Sequence, residues 1–221
     1  RDRSVSRGLG DVYKRQPDGT VRAHEGDVVA EVVTGDDGKA ETPELYLGRY
    51  EVEETLAPDG YVLNGEPVDV TLSYAGQEVA VTRAGAVVED APQKGVIEIV
   101  KTDEADGRAV PGAVYEVTAA ADIVTPDGTV HASSGDVVAT VTTGDDGKAE
   151  TDELYLGDYN VRETATPDGW AIDHETHMVE LSYAGQEVKV TRTVLETADA
   201  PTTFISVSYT HLRAHETLSD L

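Results

Sequence analysis

The sequence contains no cysteine, so neither disulfide bonds nor thiolate metal sites are possible. Phenylalanine, tryptophan and methionine are scarce, with one residue of each in 221. There are 17 basic residues against 43 acidic ones, and the formal charge of −26 argues against nucleic-acid binding, which needs clustered lysine and arginine. No apolar run approaches the roughly 20 residues that span a bilayer, so we predict no membrane span.

The sequence is rich instead in valine, threonine, tyrosine and glycine, arranged in short runs between turn sequences. β-branched and aromatic residues favour strands, whereas PDGT and GDDGK are typical of tight turns. No convincing stretch has the 3.6-residue period of a helix. The pattern predicts an all-β protein built from packed antiparallel sheets, that is, a β-sandwich.

An internal repeat organises the chain. Residues 17–92 match residues 126–201 at 49 of 76 positions without a gap, at an offset of 109 residues. That period has the size of a whole β-sandwich domain of roughly 100 residues and is too long for a solenoid unit. We therefore predict tandem domains: a truncated repeat over 17–92 that lacks its first strands, a complete repeat over 93–201 and the start of a third over 202–205.

Both ends of the sequence are foreign to this pattern. Residues 1–16, RDRSVSRGLGDVYKRQ, resemble the translation of a sequencing-library adapter, and residues 206–221 resemble the same adapter read from the opposite strand. We exclude both segments from the prediction of the fold. The exclusion also removes His211 and His215, whose helical metal-ligand spacing would otherwise suggest a metal site.

Two predicted strands carry a charged residue on their apolar side. In YNVRET, residues 159–164, Glu163 falls on the same side as a tyrosine and a valine, because side chains alternate along a strand. Glu54 holds the equivalent position in the first repeat. In VIEIVKT, residues 96–102, Lys101 falls on the side of two isoleucines. Since an unpaired buried charge is costly, we predict that the lysine and the glutamate meet in the core.

These segments carry a family resemblance. GVIEIVKTDEADGRAVPGAVYEV, followed by ELYLGDYNVRETATPDGW and a terminal strand ending in DAP, resembles the Cna protein B-type or SpaA-like domain. The resemblance covers residues 93–201, and the truncated copy matches its later part. Such domains build the stalks of Gram-positive surface adhesins and pilins. The resemblance therefore implies a prealbumin-like sandwich that lies outside the cell and is attached to the cell wall.

The resemblance also implies a covalent cross-link. In that family a lysine of the first strand forms an amide with an Asn or Asp of the last strand, assisted by a glutamate. Matched by position, these residues are Lys101, Asp199 and Glu163, with Glu196 as an alternative acceptor. Burial lowers the pKa of a lysine and raises that of a carboxylic acid, which favours attack by a neutral amine. A Lys101–Glu163 salt bridge without covalent chemistry is the alternative.

The truncated repeat carries only part of this set. It has Glu54 and Asp90 at the equivalent positions but no strand with the lysine. We therefore expect that it closes no bond of its own, and that its missing strands leave exposed edges that pair readily.

The predicted function is that of a structural stalk or adhesin segment. Its only chemistry would be a single-turnover self-cross-link, so we predict no enzyme activity, no cofactor and no metal. Its partners would be neighbouring repeats of the same chain and a host surface protein or glycan. A ligand-binding module using the loops near Trp170 and His174 is the alternative. A secreted enzyme that carries these units as accessory domains is a third class.

Overall fold

The computed structural model of the chain describes residues 3–8 and 20–203. The remaining parts of both adapter-like ends, and residues 204–205 of the predicted third repeat, lie outside the described residues. Within the described residues the chain forms strands and no helix, so none is long and apolar enough to cross a membrane. In chain order the strands are β1 (Arg3–Gly8), β2 (Val28–Val33), β3 (Gly48–Leu56), β4 (Tyr61–Val62), β5 (Val68–Leu72), β6 (Ala91–Pro92), β7 (Lys94–Asp103), β8 (Val114–Ala119), β9 (Ile123–Val124), β10 (Val130–Ala132), β11 (Val137–Thr142), β12 (Lys148–Glu150), β13 (Leu154–Tyr155), β14 (Gly157–Ala165), β15 (Thr176–Leu181) and β16 (Val190–Asp199).

The complete repeat is a sandwich of two sheets. The first sheet has the order β11-β8-β14-β15, and all of its pairs are antiparallel. In the second sheet β7 is central, with β12 and β13 antiparallel to it on one side. The predicted all-β sandwich is confirmed, with one parallel pair added: β16 lies beside β7 over ten residue pairs, from Lys94–Val190 to Asp103–Asp199. The first and last strands of the repeat are therefore parallel neighbours.

The core lies between these two sheets. Alternate residues of β7, β8 and β14 point inward, as the period of two requires. The inward positions are valine, isoleucine, tyrosine and alanine, which fill the space between two pleated surfaces. The fully enclosed members include Ile97, Ile99, Tyr115, Val117, Tyr159, Val161 and Leu181.

The first repeat reproduces one of these sheets. Its order β2-β1-β3-β5 corresponds to β11-β8-β14-β15, with β1 in the place of β8. Residues 1–16 are left out of the predicted fold, whereas in the structure β1 of this segment is a strand of the sheet. The physical reason is that β2 and β3 would have unpaired edges without β1, and an unpaired edge is a template for another extended segment.

The second sheet of the first repeat is missing from the described residues. The offset of 109 leaves no residues for a counterpart of β7, and residues 81–90, which align with β16, form no strand. Val81 and Val87 of this segment are 55% and 78% exposed. Because strand pairing and burial depend on the missing partner, the first repeat has half of the sandwich that the second one has.

Candidate functional site: a buried lysine between two carboxylates

Three strands bring the predicted residues together. The parallel register places Lys101 of β7 opposite Thr197 and Asp199 of β16 opposite Asp103, so Lys101 and Asp199 are two residues apart on neighbouring strands. Both side chains point into the core. Glu163 comes from β14 of the facing sheet. The site therefore lies between the two sheets.

The side chain of Lys101 contacts both carboxylates. Its Nζ lies 2.5 Å from Oδ1 of Asp199 and 3.3 Å from Oε2 of Glu163. The exposed fractions of the three side chains are 0%, 0% and 1%. One cation beside two ionised carboxylates would leave a net negative charge in a region without solvent, and such a charge is strongly disfavoured.

The pKa of Glu163 is raised in this environment. Burial raises the pKa of Glu163, against the opposing effects of the Asp173 N–H and the Lys101 ammonium, and the charge of Asp199 raises it further. Its Oε2 accepts the Asp173 N–H at 2.9 Å. Its Oε1 is buried and has no hydrogen-bond partner among the described residues. Glu163 is therefore the carboxyl group in this site that is suited to carry a proton.

Lys101 behaves differently from the sequence-based expectation. Burial acts to lower the pKa of Lys101, but the hydrogen bond to Asp199 and the interactions with Tyr115 and Glu163 outweigh it, and the net pKa is raised. The prediction of a lowered lysine pKa is therefore wrong in its net direction. The raised pKa favours the ammonium form of Lys101, and an ammonium must lose a proton before its nitrogen can act as a nucleophile.

Two further side chains complete the site and were missed in the sequence. The hydroxyl of Thr166 donates to Oδ2 of Asp199 at 2.7 Å. The ring of Tyr115 lies 5.7 Å from Nζ of Lys101, and its hydroxyl hydrogen-bonds to Oγ1 of Thr197 at 2.8 Å. A signal for Thr166 was available, because the truncated repeat has Ala57 at that position.

The alternative acceptor Glu196 is excluded by its position. It is three residues before Asp199 in β16, so it lies on the opposite face of the strand, and it is exposed. In the first repeat Glu54 is buried, and its Oε2 accepts the N–H of Asn64 at 3.2 Å, the counterpart of the Glu163–Asp173 contact. Asp90 is half-buried. The positioning of the glutamate is therefore the same in both copies.

Trp170, which the alternative ligand site would use, makes contacts within the repeat. The indole N–H of Trp170 donates to Oδ2 of Asp103 at 3.1 Å, and the guanidinium of Arg108 lies 5.4 Å from the ring centroid. His174 is exposed. Trp170 is thus part of a polar cluster that holds the end of β7, which favours a structural role over a ligand platform.

The neighbouring loop holds a group of possible metal ligands. His177 contacts Asp173 at 2.9 Å, and ligand atoms of these two residues and Glu175 lie within 4.8 Å of one another. The same loop supplies the Asp173 N–H to Glu163. The first repeat has Asn64, Glu66 and Val68 at these places, so the group is not a feature of both repeats.

The parallel first and last strands of this β-sandwich enclose a lysine and two carboxylates, which is the arrangement that the family resemblance of the sequence implies. The sequence profile of the SpaA prealbumin-like fold domain matches residues 12–85 and 95–194, more than half of the chain. The chain belongs to this family, and the resemblance seen in the sequence is confirmed.

Several solved structures are similar to this chain. The Bacillus anthracis TIE protein matches 90% of this chain with a TM-score of 0.55 and 24% identity, and this chain spans 31% of its length. The minor pilin GBS52 of Streptococcus agalactiae matches 95% of this chain and 86% of its own, at 16% identity and a TM-score of 0.39. A mutant of the shaft pilin SpaA from Lactobacillus rhamnosus GG matches 93% and 86%, at 14% identity and a TM-score of 0.39. No curated protein matches the sequence.

Proposed function

We propose that the chain is a segment of a Gram-positive surface stalk, in a pilin or an adhesin, whose complete repeat locks itself with an amide between Lys101 and Asp199. The observation that carries the proposal is the 2.5 Å approach of the lysine nitrogen to the aspartate, in full exclusion of solvent, with Glu163 beside both. Membership of the SpaA family supports an extracellular, cell-wall-attached location for the parent protein.

The condensation balances as the loss of one water. The Lys101 ammonium gives up one proton, its nitrogen attacks Cγ of Asp199 to form the C–N bond, and the nitrogen then gives up a second proton. Both protons end on Oδ1 of Asp199, which leaves as water when its bond to Cγ breaks. The scheme needs no oxidant, and the two reacting side chains are consumed in the product, so the reaction is a single turnover. Fixed proximity replaces the encounter of two molecules, which is a large part of the barrier.

Glu163 moves the protons in this scheme. It lies at hydrogen-bond distance from the lysine nitrogen, and burial raises its pKa, so it accepts a proton more readily than an exposed glutamate. It then passes this proton, and the second one that the nitrogen loses after attack, to the departing Oδ1 of Asp199. The hydroxyl of Thr166 bonds the second oxygen, Oδ2, and stabilises the negative charge that develops there during attack.

The product constrains the unfolded chain. The bond joins residues that are 98 apart in sequence, and a cross-link closing about 100 residues stabilises a fold by about 4–5 kcal/mol. That gain is large against the total stability of about 5–15 kcal/mol that a domain has. Because the sequence has no cysteine, the repeat cannot form a disulfide bond, and this amide would take the place of one as a covalent cross-link.

The intact mass of the whole chain under denaturing conditions tests the proposal. We expect the wild type to lack the mass of one water, and Glu163→Ala to have the full mass. Glu54→Ala is the matched control, because it removes the equivalent glutamate from the repeat without the lysine, and it should keep the deficit. Fragmentation should place the link on Lys101 and Asp199. Full mass in the wild type would reduce the site to a buried ion pair.

A further inference from the structure

The residue that joins the two repeats is held on both sides. Gln93 is 1% exposed, and its backbone N–H donates to the carbonyl of Gly60 in the first repeat at 2.8 Å. Its side chain is bound to the second repeat: Oε1 accepts the N–H of Ala184 at 2.8 Å, and Nε2 donates to the carbonyls of Gly185, at 2.9 Å, and Val188. In a flexible linker these polar groups would hydrogen-bond to water, whereas here both the oxygen and the nitrogen of the Gln93 side-chain amide bond to the protein.

A loop of the second repeat reaches back to the first. In residues 182–187, SYAGQE, the side-chain oxygen of Gln186 accepts the backbone N–H of Ala57 at 3.0 Å. The backbone carbonyl of Gln186 accepts the N–H of Leu63 at 3.0 Å. Ala57 is buried, so without this contact its N–H would be without a hydrogen bond. An unsatisfied N–H that is buried destabilises the structure more than one that can bond to water.

The contact surface between the repeats is close-packed. Gly60 has a φ of +90°, and a Cβ at this position would lie 2.8 Å from Cγ of Pro126 in the second repeat. The PDG turn at residues 58–60 therefore fits against the PDG sequence at residues 126–128 of the second repeat, with no room for a side chain at Gly60. Close backbone approach of this kind is a reason for glycine that a solvent-facing turn does not have.

The docking loop is present in both repeats, in one conformation. Residues 73–78 read SYAGQE as well, and Gly76 and Gly185 have φ values of +110° and +100°. Val79 and Val188 each donate to the carbonyl of that glycine, at 3.3 and 3.1 Å. In the first repeat Gln77 is exposed, and the loop has the same turn although none of the described residues of another repeat is hydrogen-bonded to Gln77. The loop is therefore formed before it docks.

We propose that the SYAGQE loop is a docking element that fixes the orientation of each repeat on the one before it. Its partner is the backbone of residues 57–63 in the preceding repeat of the same chain. The exit of the second repeat has the same backbone contact, because the N–H of Thr202 donates to the carbonyl of Gly169 at 2.8 Å, as that of Gln93 does to Gly60. The surface around residues 166–172 is then the receptor for the loop of a third repeat.

Distance measurements on the whole chain test this proposal. Since the sequence has no cysteine, Thr71→Cys and Glu180→Cys give two unique spin labels at exposed, equivalent positions of the two repeats. We expect one narrow distance distribution in the otherwise unchanged chain. Gln186→Ala should broaden it by about twofold or more, because relative motion is the default for domains without a firm contact. Gln77→Ala, the matched control, should leave it unchanged.

A second variant separates docking from folding. In Gln186→Glu the carboxylate still accepts the Ala57 N–H, so the narrow distribution should return at moderate salt. A broad distribution in the unchanged chain, or a narrow one in Gln186→Ala, would overturn the proposal. The intact mass of each variant reports the Lys101–Asp199 link independently, so failure of the docking proposal and failure of the proposed function are distinguishable.

Discussion

The hydroxyl of Thr166 donates to Oδ2 of Asp199 at 2.7 Å, while the other oxygen of the same carboxylate faces Lys101. The two contacts fix the plane of the carboxyl group between them. Attack by nitrogen requires the carbonyl carbon to be presented at a defined angle, and a second donor on the far oxygen both orients and polarises it.

Thr166→Val should therefore slow formation of the amide. The substitution keeps the shape of the side chain and removes the donor, and loss of one such donor costs about a hundredfold to a thousandfold in comparable sites. A time course of the water loss in freshly synthesised protein measures the effect. Thr164→Val is the control, because that hydroxyl bonds the exposed carbonyl of Val114 instead. An unchanged rate in Thr166→Val would remove Thr166 from the mechanism.

If the proposed cross-link forms, its loss should destabilise the second repeat alone. Glu163→Gln keeps the volume of the side chain but cannot accept the lysine proton, so we expect the repeat to lose about 4–5 kcal/mol of unfolding free energy. Urea titration followed by the fluorescence of Trp170, the single tryptophan, reports this repeat. Glu54→Gln should leave the same transition in place. Equal midpoints in wild type and Glu163→Gln would contradict the stabilising role.

Gly147 presents a backbone constraint beside the site. Its φ is +73°, and a Cβ would lie 2.5 Å from the carbonyl oxygen of Lys101. Gly38 is its counterpart in the first repeat, with a φ of +71° and open space around it. Both alanine variants incur the left-handed penalty of about 1–2 kcal/mol. Gly147→Ala should lose about 1–3 kcal/mol beyond that, since the backbone of β7 must shift. The losses of unfolding free energy in Gly147→Ala and Gly38→Ala, both measured by urea titration, differ by the cost of the close contact at Gly147. Equal losses in the two variants would contradict that cost.

Acid should loosen the end of β7 through Asp103. The N–H of Ala105 and the contacts from Trp170 and Arg108 lower the pKa of Asp103 from its usual 3.8, against the effect of burial. A lowered folded pKa means that this carboxylate stabilises the fold above pH 3.8, and that the contribution is lost as the pH falls through the folded value. Asp103→Asn should be less stable at pH 7 and lose less on acidification.

The same fluorescence titration, repeated between neutral and acid pH, measures that difference. Asp106→Asn is the matched control, because its carboxylate is 57% exposed and lies 3.7 Å from the same arginine. It should follow the wild type at every pH. If Asp103→Asn and the wild type lose stability in parallel, the acid sensitivity comes from other carboxylates.

Alternation along the strands was enough to predict which charged residues lie inside. Lys101 and Glu163 share faces with isoleucine, tyrosine and valine, and the structure places both in the core. The contact with Thr166 could not be predicted in this way, because it depends on where a loop passes the last strand. The parallel pairing of β16 with β7 could not either, since register between strands far apart in sequence is set by the tertiary fold. The pairing of β1 reflects open edges rather than a pattern in its own residues.

The parallel arrangement of β7 and β16 also decides how a repeat responds when its two ends are pulled apart. The chain enters at Lys94 and leaves just after Asp199, at opposite ends of a pair of aligned strands. With the amide closed, tension runs along β7 to Lys101 and crosses directly to Asp199. Lys101 and Asp199 are 98 apart in sequence, and the residues between them stay out of that path, although unravelled they would span roughly 330 Å. In the proposed stalk, a string of such cross-linked units would hold its length under traction, and whatever it carries at its tip would stay at a constant distance from its base.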